Sequence, residues 1–189
     1  MDVGVFLDRD GTLNEEMGYI NHIDRFVLLP GAAAAIRRIN ESGFKAVVIT
    51  NQSGAARGYF PVEFIDQVHQ KMNGLLREQG AFLDGVYTCT HGPAEKERSG
   101  SCDCRKPGIA LMKQAADELN IDLKRSYVVG DRFKDIEMAH NAKSKSILVL
   151  TGYGKGEYEF LGPRSKVQPD YVAEDLCGAV DWILADAKS

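Results

Sequence analysis

Eight residues in a few short words of this chain could do chemistry. Asp8 and Asp10 lie in FLDRDGTLN, Thr50 in VVITNQSG, Arg105 and Lys106 in CDCRKPG, and Asp131, Arg132 and Asp135 in VVGDRFKDIEMA. Three of these words close an apolar, β-branched run, which places their polar side chains at the carboxyl ends of strands, where an open α/β sheet builds its site. A carboxylate at such an end can attack phosphorus, and a second one two residues on can give and take the proton. Thr50 and the amides after it can hold phosphoryl oxygens. Lys106, ahead of Pro107-Gly108 at an expected helix start, can neutralise charge building on the transferred group. Asp131 and Asp135 supply hard oxygen ligands of the kind Mg²⁺ prefers. Read alone, a D-x-D is a solvated turn, a threonine caps a strand-to-helix turn, and Asp135 is a helix N-terminal acid. Their convergence makes the chemistry phosphoryl transfer.

A second constellation offers softer donors. Cys89-Thr-His91 and Cys102-Asp-Cys104 supply three thiolates and an imidazole, the inventory of a closed tetrahedral Zn²⁺ site. The stretch between, GPAEKERSGS, is too poor in apolar groups to pack itself, and a metal can supply its order. Cys104 directly precedes Arg105 and Lys106, so a metal there would position both. Cys177 has apolar neighbours at helical spacing and reads as a small core residue.

The elements that must position these groups alternate along the chain. Strands are expected at Val3 to Leu7, Lys45 to Thr50, Val86 to Thr90, Ser126 to Val129 and Ile147 to Leu150, with an edge strand at Asp170 to Val172. Helices are expected at Ala32 to Glu41, from Pro61 at N1 to about Gln79, and over Gly108 to Leu119, Lys134 to Ala142 and Glu174 to Ala187. Repeated β-α units imply an α/β fold, a doubly wound Rossmann-like parallel sheet with helices on both faces. One domain over 1–189 is expected, with the zinc loop at about 89–104. The gaps between motifs leave no room for a cap domain, so the site should be open and framed by loops.

Composition narrows the class. The chain has 189 residues, 44% hydrophobic and 26% charged, ordinary for a globular protein. A net charge of −4 gives no general affinity for nucleic acid or anionic membrane. No run approaches the roughly 20 apolar residues of a membrane span. The expected setting is the cytoplasm, and the expected partner is a small molecule.

The four words DRDGT, the Thr of ITN, the Lys of RKP and GDRFKD resemble, in order, the motifs of the haloacid-dehalogenase-type phosphatase superfamily. The resemblance implies that Asp8 is a covalent aspartyl-phosphate nucleophile and Asp10 the general acid/base. It implies that Asp8, the backbone carbonyl of Asp10 and Asp131 bind Mg²⁺, with Thr50 and Lys106 stabilising the phosphoryl group. A C-x-H…C-x-C loop ahead of RKP is similar to the branch shared by histidinol-phosphate and heptose 1,7-bisphosphate phosphatases. TNQSGAARGYF, GYI and CDCRKPG look like the heptose bisphosphate phosphatases, which are capless monomers, although the zinc loop is shorter and the tail GYGKGEYEFLGPRSKVQPDYV departs. That resemblance implies substrate contacts from Glu16, Met17, Gly18, Tyr19, Thr50, Asn51, Gln52, Ser53, Arg105, Lys106 and Arg132. Arg105 and Arg132 also suit a second phosphate, for which Arg offers forked donors, and Arg57 is a further candidate. A phosphotransferase or mutase would use the same nucleophile but must exclude water, and no lid is expected here. An inactive zinc-stabilised binding module would be expected to lack one of the acids, and all are present.

Overall fold

A computed structural model of the chain describes residues 1–92 and 102–188. Its strands are β1 (Gly4–Leu7), β2 (Lys45–Asn51), β3 (Gly85–Cys89), β4 (Tyr127–Gly130), β5 (Lys145–Val149) and β6 (Tyr171–Ala173). They form one sheet in the order β3-β2-β1-β4-β5-β6, every neighbouring pair parallel. The main helices are α1 (Ala32–Glu41), α2 (Glu63–Glu78), α3 (Ala110–Leu119), α4 (Phe133–Ala142) and α5 (Leu176–Asp186).

Because strand side chains alternate, each apolar run feeds two cores. Val5 and Leu7 of β1, Ala46 and Val48 of β2 and Val129 of β4 face α1, α2 and α5. Phe6, Val47, Ile49 and Val128 face α3 and α4 across the sheet. The helices cover both sheet faces, as a parallel sheet with continuously apolar strands requires. Between β1 and β4 the strand order reverses direction. That switch point opens a crevice at the carboxyl ends of the two strands, and Asp8 and Asp131 directly follow them.

The expected elements are all present, with shifted ends. Pro61 does not stand at N1 of α2, which is capped by Val62 and begins at Glu63. Helix α3 begins at Ala110 rather than Gly108. Residues 105–108 instead form a turn closed by the Gly108 N–H donating to the Arg105 carbonyl (2.8 Å), so Lys106 lies on a turn before the helix and not at its terminus. Cys177 is half-buried at the rim of the core, its thiol facing the Gly31 carbonyl (3.4 Å). The tail carries a helical stretch that periodicity did not reveal, Gly154–Gly156 running into a π-helical Glu157–Leu161. Among the described residues, no helix is long and apolar enough to cross a membrane.

Candidate active site

Lys106 organises the crevice. Its ammonium is 1% exposed and lies 2.7 Å from Asp8 Oδ1 and 2.6 Å from Asp135 Oδ1, and it donates to the Ile49 carbonyl (3.0 Å). Burial alone would lower its pKa, but Asp135 and Asp8 outweigh that and push it up. Asn51 braces the turn that carries it, its Oδ1 accepting from the Lys106 N–H (3.1 Å). Asp8 Oδ1 also accepts the Arg9 N–H (2.8 Å). Asp8 Oδ2 makes no hydrogen bond among the described residues, and Asp8 lines the cavity. Burial raises the Asp8 pKa to about 6 against the opposing pull of Lys106.

Asp10 sits in a different environment. Arg9 NH2 donates to both of its oxygens (3.0 and 2.9 Å), Asn14 Nδ2 to Oδ1 (2.9 Å) and Gln52 Nε2 to Oδ2 (2.7 Å). Burial would raise its pKa, but Arg9 and these donors hold it below the usual carboxylate range. Gln52 also donates to Thr50 Oγ1 (2.9 Å), tying the second motif to the first. The Arg9 guanidinium is buried, and its NH1 reaches His69 Nε2 on α2 (3.3 Å). Burial and Arg9 push the His69 pKa down to about 4, so the ring is neutral and can accept.

Asp131 is fully buried at the base of the crevice. Its Oδ2 accepts the Tyr153 N–H (2.8 Å), while its Oδ1 is buried without a hydrogen bond. Burial, then the Asp8 and Asp135 charges, push its pKa up to about 8. Gly11 (φ +81) and Gly152 (φ +55) pack their backbones against this carboxylate, and a Cβ at either would collide with Oδ2. An orphaned buried oxygen among several carboxylates and one lysine is a fitting environment for a hard divalent cation. Oxygens of Asp8, Asp131 and Asp135 lie within 4.8 Å of one another. Asp135 is already committed to Lys106 and to the Arg132 N–H (3.2 Å) that it caps. The Asp10 side chain stands outside this group, so any ligand from that residue is its main-chain carbonyl.

The thiols of Cys89, Cys102 and Cys104 and the ring of His91 cluster likewise. Cys89 Sγ lies 3.7 Å from both Cys102 Sγ and His91 Nδ1, while Cys104 Sγ stands closer in, 3.4 Å from Cys102 Sγ, 3.2 Å from His91 Nδ1 and 2.8 Å from Cys89 Sγ. Ligands tetrahedral about one Zn²⁺ at about 2.3 Å would stand about 3.8 Å apart, and all four cysteines are free. The donor set therefore fits zinc. Residues 93–101 of the expected loop lie outside the described residues. Arg105 NH1 donates to the His91 carbonyl (3.0 Å), so the cluster also holds that side chain.

The crevice opens into a cavity lined by Asp8, Asp10, Thr50, Asn51, Ser53, Arg105, Lys106 and Arg132, with Glu16, Gly18 and Tyr19 on the opposite rim. Of the expected contacts, Met17 and Gln52 do not line it, and neither does Arg57. Gln52 instead holds Asp10 and Thr50. Sequence reasoning gave no role to Arg9, Asn14, His69, Lys134, Tyr153 or Glu157. Glu157 accepts from Arg132 Nε (2.8 Å) and the Phe133 N–H (2.6 Å), and Arg132 lies 4.6 Å over the Tyr153 ring. Arg9 stood visibly inside DRDGT; nothing in the sequence marks Glu157 or His69.

A HAD-hydrolase-like family model matches residues 103–179. The D-glycero-D-manno-heptose-1,7-bisphosphate 7-phosphatase of Thermosynechococcus vestitus is 41% identical over 189 residues, covering 95% of this chain and 94% of that protein. The chain belongs to the D-glycero-D-manno-heptose-1,7-bisphosphate 7-phosphatase family. The Escherichia coli K12 D-glycero-beta-D-manno-heptose-1,7-bisphosphate 7-phosphatase is also 41% identical, over 97% of this chain and 95% of that one. Among solved structures, the D,D-heptose 1,7-bisphosphate phosphatase of B. bronchiseptica, complexed with magnesium and phosphate, superposes with a TM-score of 0.85 at 31% identity, covering 97% of this chain and 99% of that one. The fold is HAD-like, and as a member of this family the chain is a phosphomonoester hydrolase.

Proposed function

We propose that this enzyme removes the 7-phosphate of D-glycero-D-manno-heptose 1,7-bisphosphate through an aspartyl-phosphate on Asp8. The observation that carries the reading is the division of labour between two carboxylates. Asp8 has one oxygen pinned by Lys106 and one free, while Asp10, two residues away, is clamped by three side chains beside the same cavity. The name and near-complete coverage of the relatives support the heptose bisphosphate as substrate.

Asp8 Oδ2 attacks phosphorus, the bond from phosphorus to the C7 oxygen breaks, and Asp10 gives that oxygen a proton. Water then attacks phosphorus, Asp10 takes its proton, and the bond to Oδ2 breaks to restore the carboxylate. Arg9 and the amide donors favour the ionised form of Asp10, which needs a proton for the first step. An arriving phosphate dianion raises its pKa and supplies that condition. Thr50 and the amides after it receive phosphoryl oxygens, and Lys106 balances the charge that develops on them. Asp8, Asp131 and the Asp10 carbonyl would hold Mg²⁺, which offsets phosphoryl charge when bound. Zinc on Cys89, His91, Cys102 and Cys104 would be structural, fixing the turn that carries Arg105 and Lys106.

The test is a phosphate-release assay on both heptose 1,7-bisphosphate anomers and on histidinol phosphate, with acid-quenched single turnover of labelled substrate. Wild type should favour a heptose bisphosphate and yield labelled protein, and Asp8→Asn should keep the fold and lose both turnover and label. Preference for histidinol phosphate would overturn the substrate. An active Asp8→Asn variant would overturn the mechanism.

A further inference from the structure

Helix α4 opens on a residue poorly suited to cap it. Its N-cap is Arg132, whose side chain offers no acceptor to the free N–H groups of the first turn. A guanidinium at that end is also opposed by the helix dipole. Glu157, from the tail, answers both. Its Oε2 accepts the Phe133 N–H (2.6 Å), and its Oε1 accepts from Arg132 Nε (2.8 Å). The acid is 9% exposed, and the segment that delivers it is tied down. The Glu157 N–H donates to the Tyr153 carbonyl (2.9 Å), the Tyr153 N–H to Asp131 Oδ2 (2.8 Å), and Thr151 Oγ1 to the Gly11 carbonyl (2.6 Å). Tyr153 then lays its ring against the guanidinium, 4.6 Å from centroid to Cζ.

We propose that Glu157 is a positioning residue for substrate recognition and acts through Arg132. It engages only the Nε–H. The two terminal NH₂ groups make no hydrogen bond among the described residues, and Arg132 lines the cavity. Those groups are the fork with which an arginine meets a phosphate. With 38% of its side chain exposed, Arg132 has room to swing away from the cavity. Glu157 is the acid in ion-pair contact with it among the described residues. Held on one edge by a carboxylate and on one face by a ring, the guanidinium keeps a single orientation. The rotamer freedom that a loose arginine gives up on binding is lost here on folding instead.

The inference rests on the bisphosphate reading, and a double-mutant cycle separates the two. Wild type, Glu157→Gln, Arg132→Ala and the double variant are assayed on heptose 1,7-bisphosphate and on heptose 7-phosphate, which lacks the second phosphate. Glutamine keeps the length of Glu157 and an oxygen for the Phe133 N–H but has no charge to hold Arg132. Glu157→Gln should lose about tenfold more kcat/KM on the bisphosphate than on the 7-phosphate, mainly through KM. With Arg132→Ala already present, it should widen that difference no further. Glu157→Asp, one methylene short, should show the same pattern on a smaller scale. Equal losses on both substrates, or no loss on either, would overturn the role of Glu157 while leaving the substrate standing. A difference that persists without Arg132, or a raised Mg²⁺ demand at unchanged KM, would do the same, the latter by assigning Glu157 to Asp131. A wild type that treats bisphosphate and 7-phosphate alike would overturn the substrate reading itself, and the role of Glu157 with it.

Discussion

At the scale of single residues, the environment of Asp10 explains why Arg9 is buried in the motif. A guanidinium on both oxygens and an amide on each leave the carboxylate little freedom to rotate. Arg9 is fixed from behind by the neutral ring of His69, so the clamp is anchored to α2 rather than to the motif loop alone. A clamp of this kind matters for proton transfer and hardly for attack on phosphorus. Arg9→Met should therefore lower kcat/KM, which reports formation of the aspartyl-phosphate and not its hydrolysis, on sugar phosphates by about ten- to a hundredfold. That is short of the full effect of general acid–base catalysis because Asn14 and Gln52 still hold Asp10. The loss on p-nitrophenyl phosphate, whose leaving group departs without a proton, should be much smaller. Equal losses on both substrates would show that Arg9 acts on the whole site rather than through Asp10.

Elements bring these residues together, and here the sequence was legible unevenly. Apolar runs placed all six strands to within one or two residues, most plainly the four central ones, which are buried on both faces, and less so the half-exposed edges β3 and β6. Three of the four motif words were legible because each sits where a strand ends, and RKP, on the turn ahead of α3, by its lysine beside Pro107 and Gly108. The tail from Gly152 to Leu161 was not, since its job is to pack backbone against a carboxylate and to deliver one acid. Neither leaves a periodic pattern. Gly152 has a positive φ and faces Asp131 Oδ2 at its Cα. Gly152→Ala should thus cost about 1–2 kcal/mol in backbone strain alone and displace Asp131, raising the Mg²⁺ concentration needed for half-maximal activity. A Gly152→Ala variant with unaltered Mg²⁺ demand would separate the loop from the metal site. The loop ahead of Arg105 makes a matching prediction. Metal analysis should find about one zinc per chain. Cys102→Ser should release it, lower Tm and raise KM through the loosened Arg105, and a zinc-free wild type with fully reactive thiols would refute the site.

For the whole molecule, the buried acids make folding and metal binding two sides of one linkage. Asp131 and Asp8 have folded pKa values near 8 and 6, against an ordinary value of 3.8. The folded state thus binds more protons than the unfolded one. The stability tied to these protons is fully present below about pH 4 and is lost as pH rises through 6 and then 8. His69 works in the opposite sense. Its folded pKa near 4 lies below 6.5, so its contribution is present above 6.5 and disappears as pH falls toward 4. Asp10, held low, likewise contributes only above the ordinary carboxylate range and is lost as pH falls below it. Of these four groups, only Asp8 and Asp131 still change above pH 6.5, and both lower stability. With zinc retained and magnesium withheld, Tm should therefore fall between pH 6.5 and 8.5. Mg²⁺ takes the place of the bound protons, so its stabilisation should grow with pH across that window, and calorimetry near pH 7 should record proton release on binding. Both effects should shrink in Asp131→Asn to what the upper end of the Asp8 titration leaves just above pH 6.5. A magnesium-free Tm that stays level or rises over this range would show that Asp131 is already ionised without the metal, and that the empty crevice holds no proton for Mg²⁺ to displace.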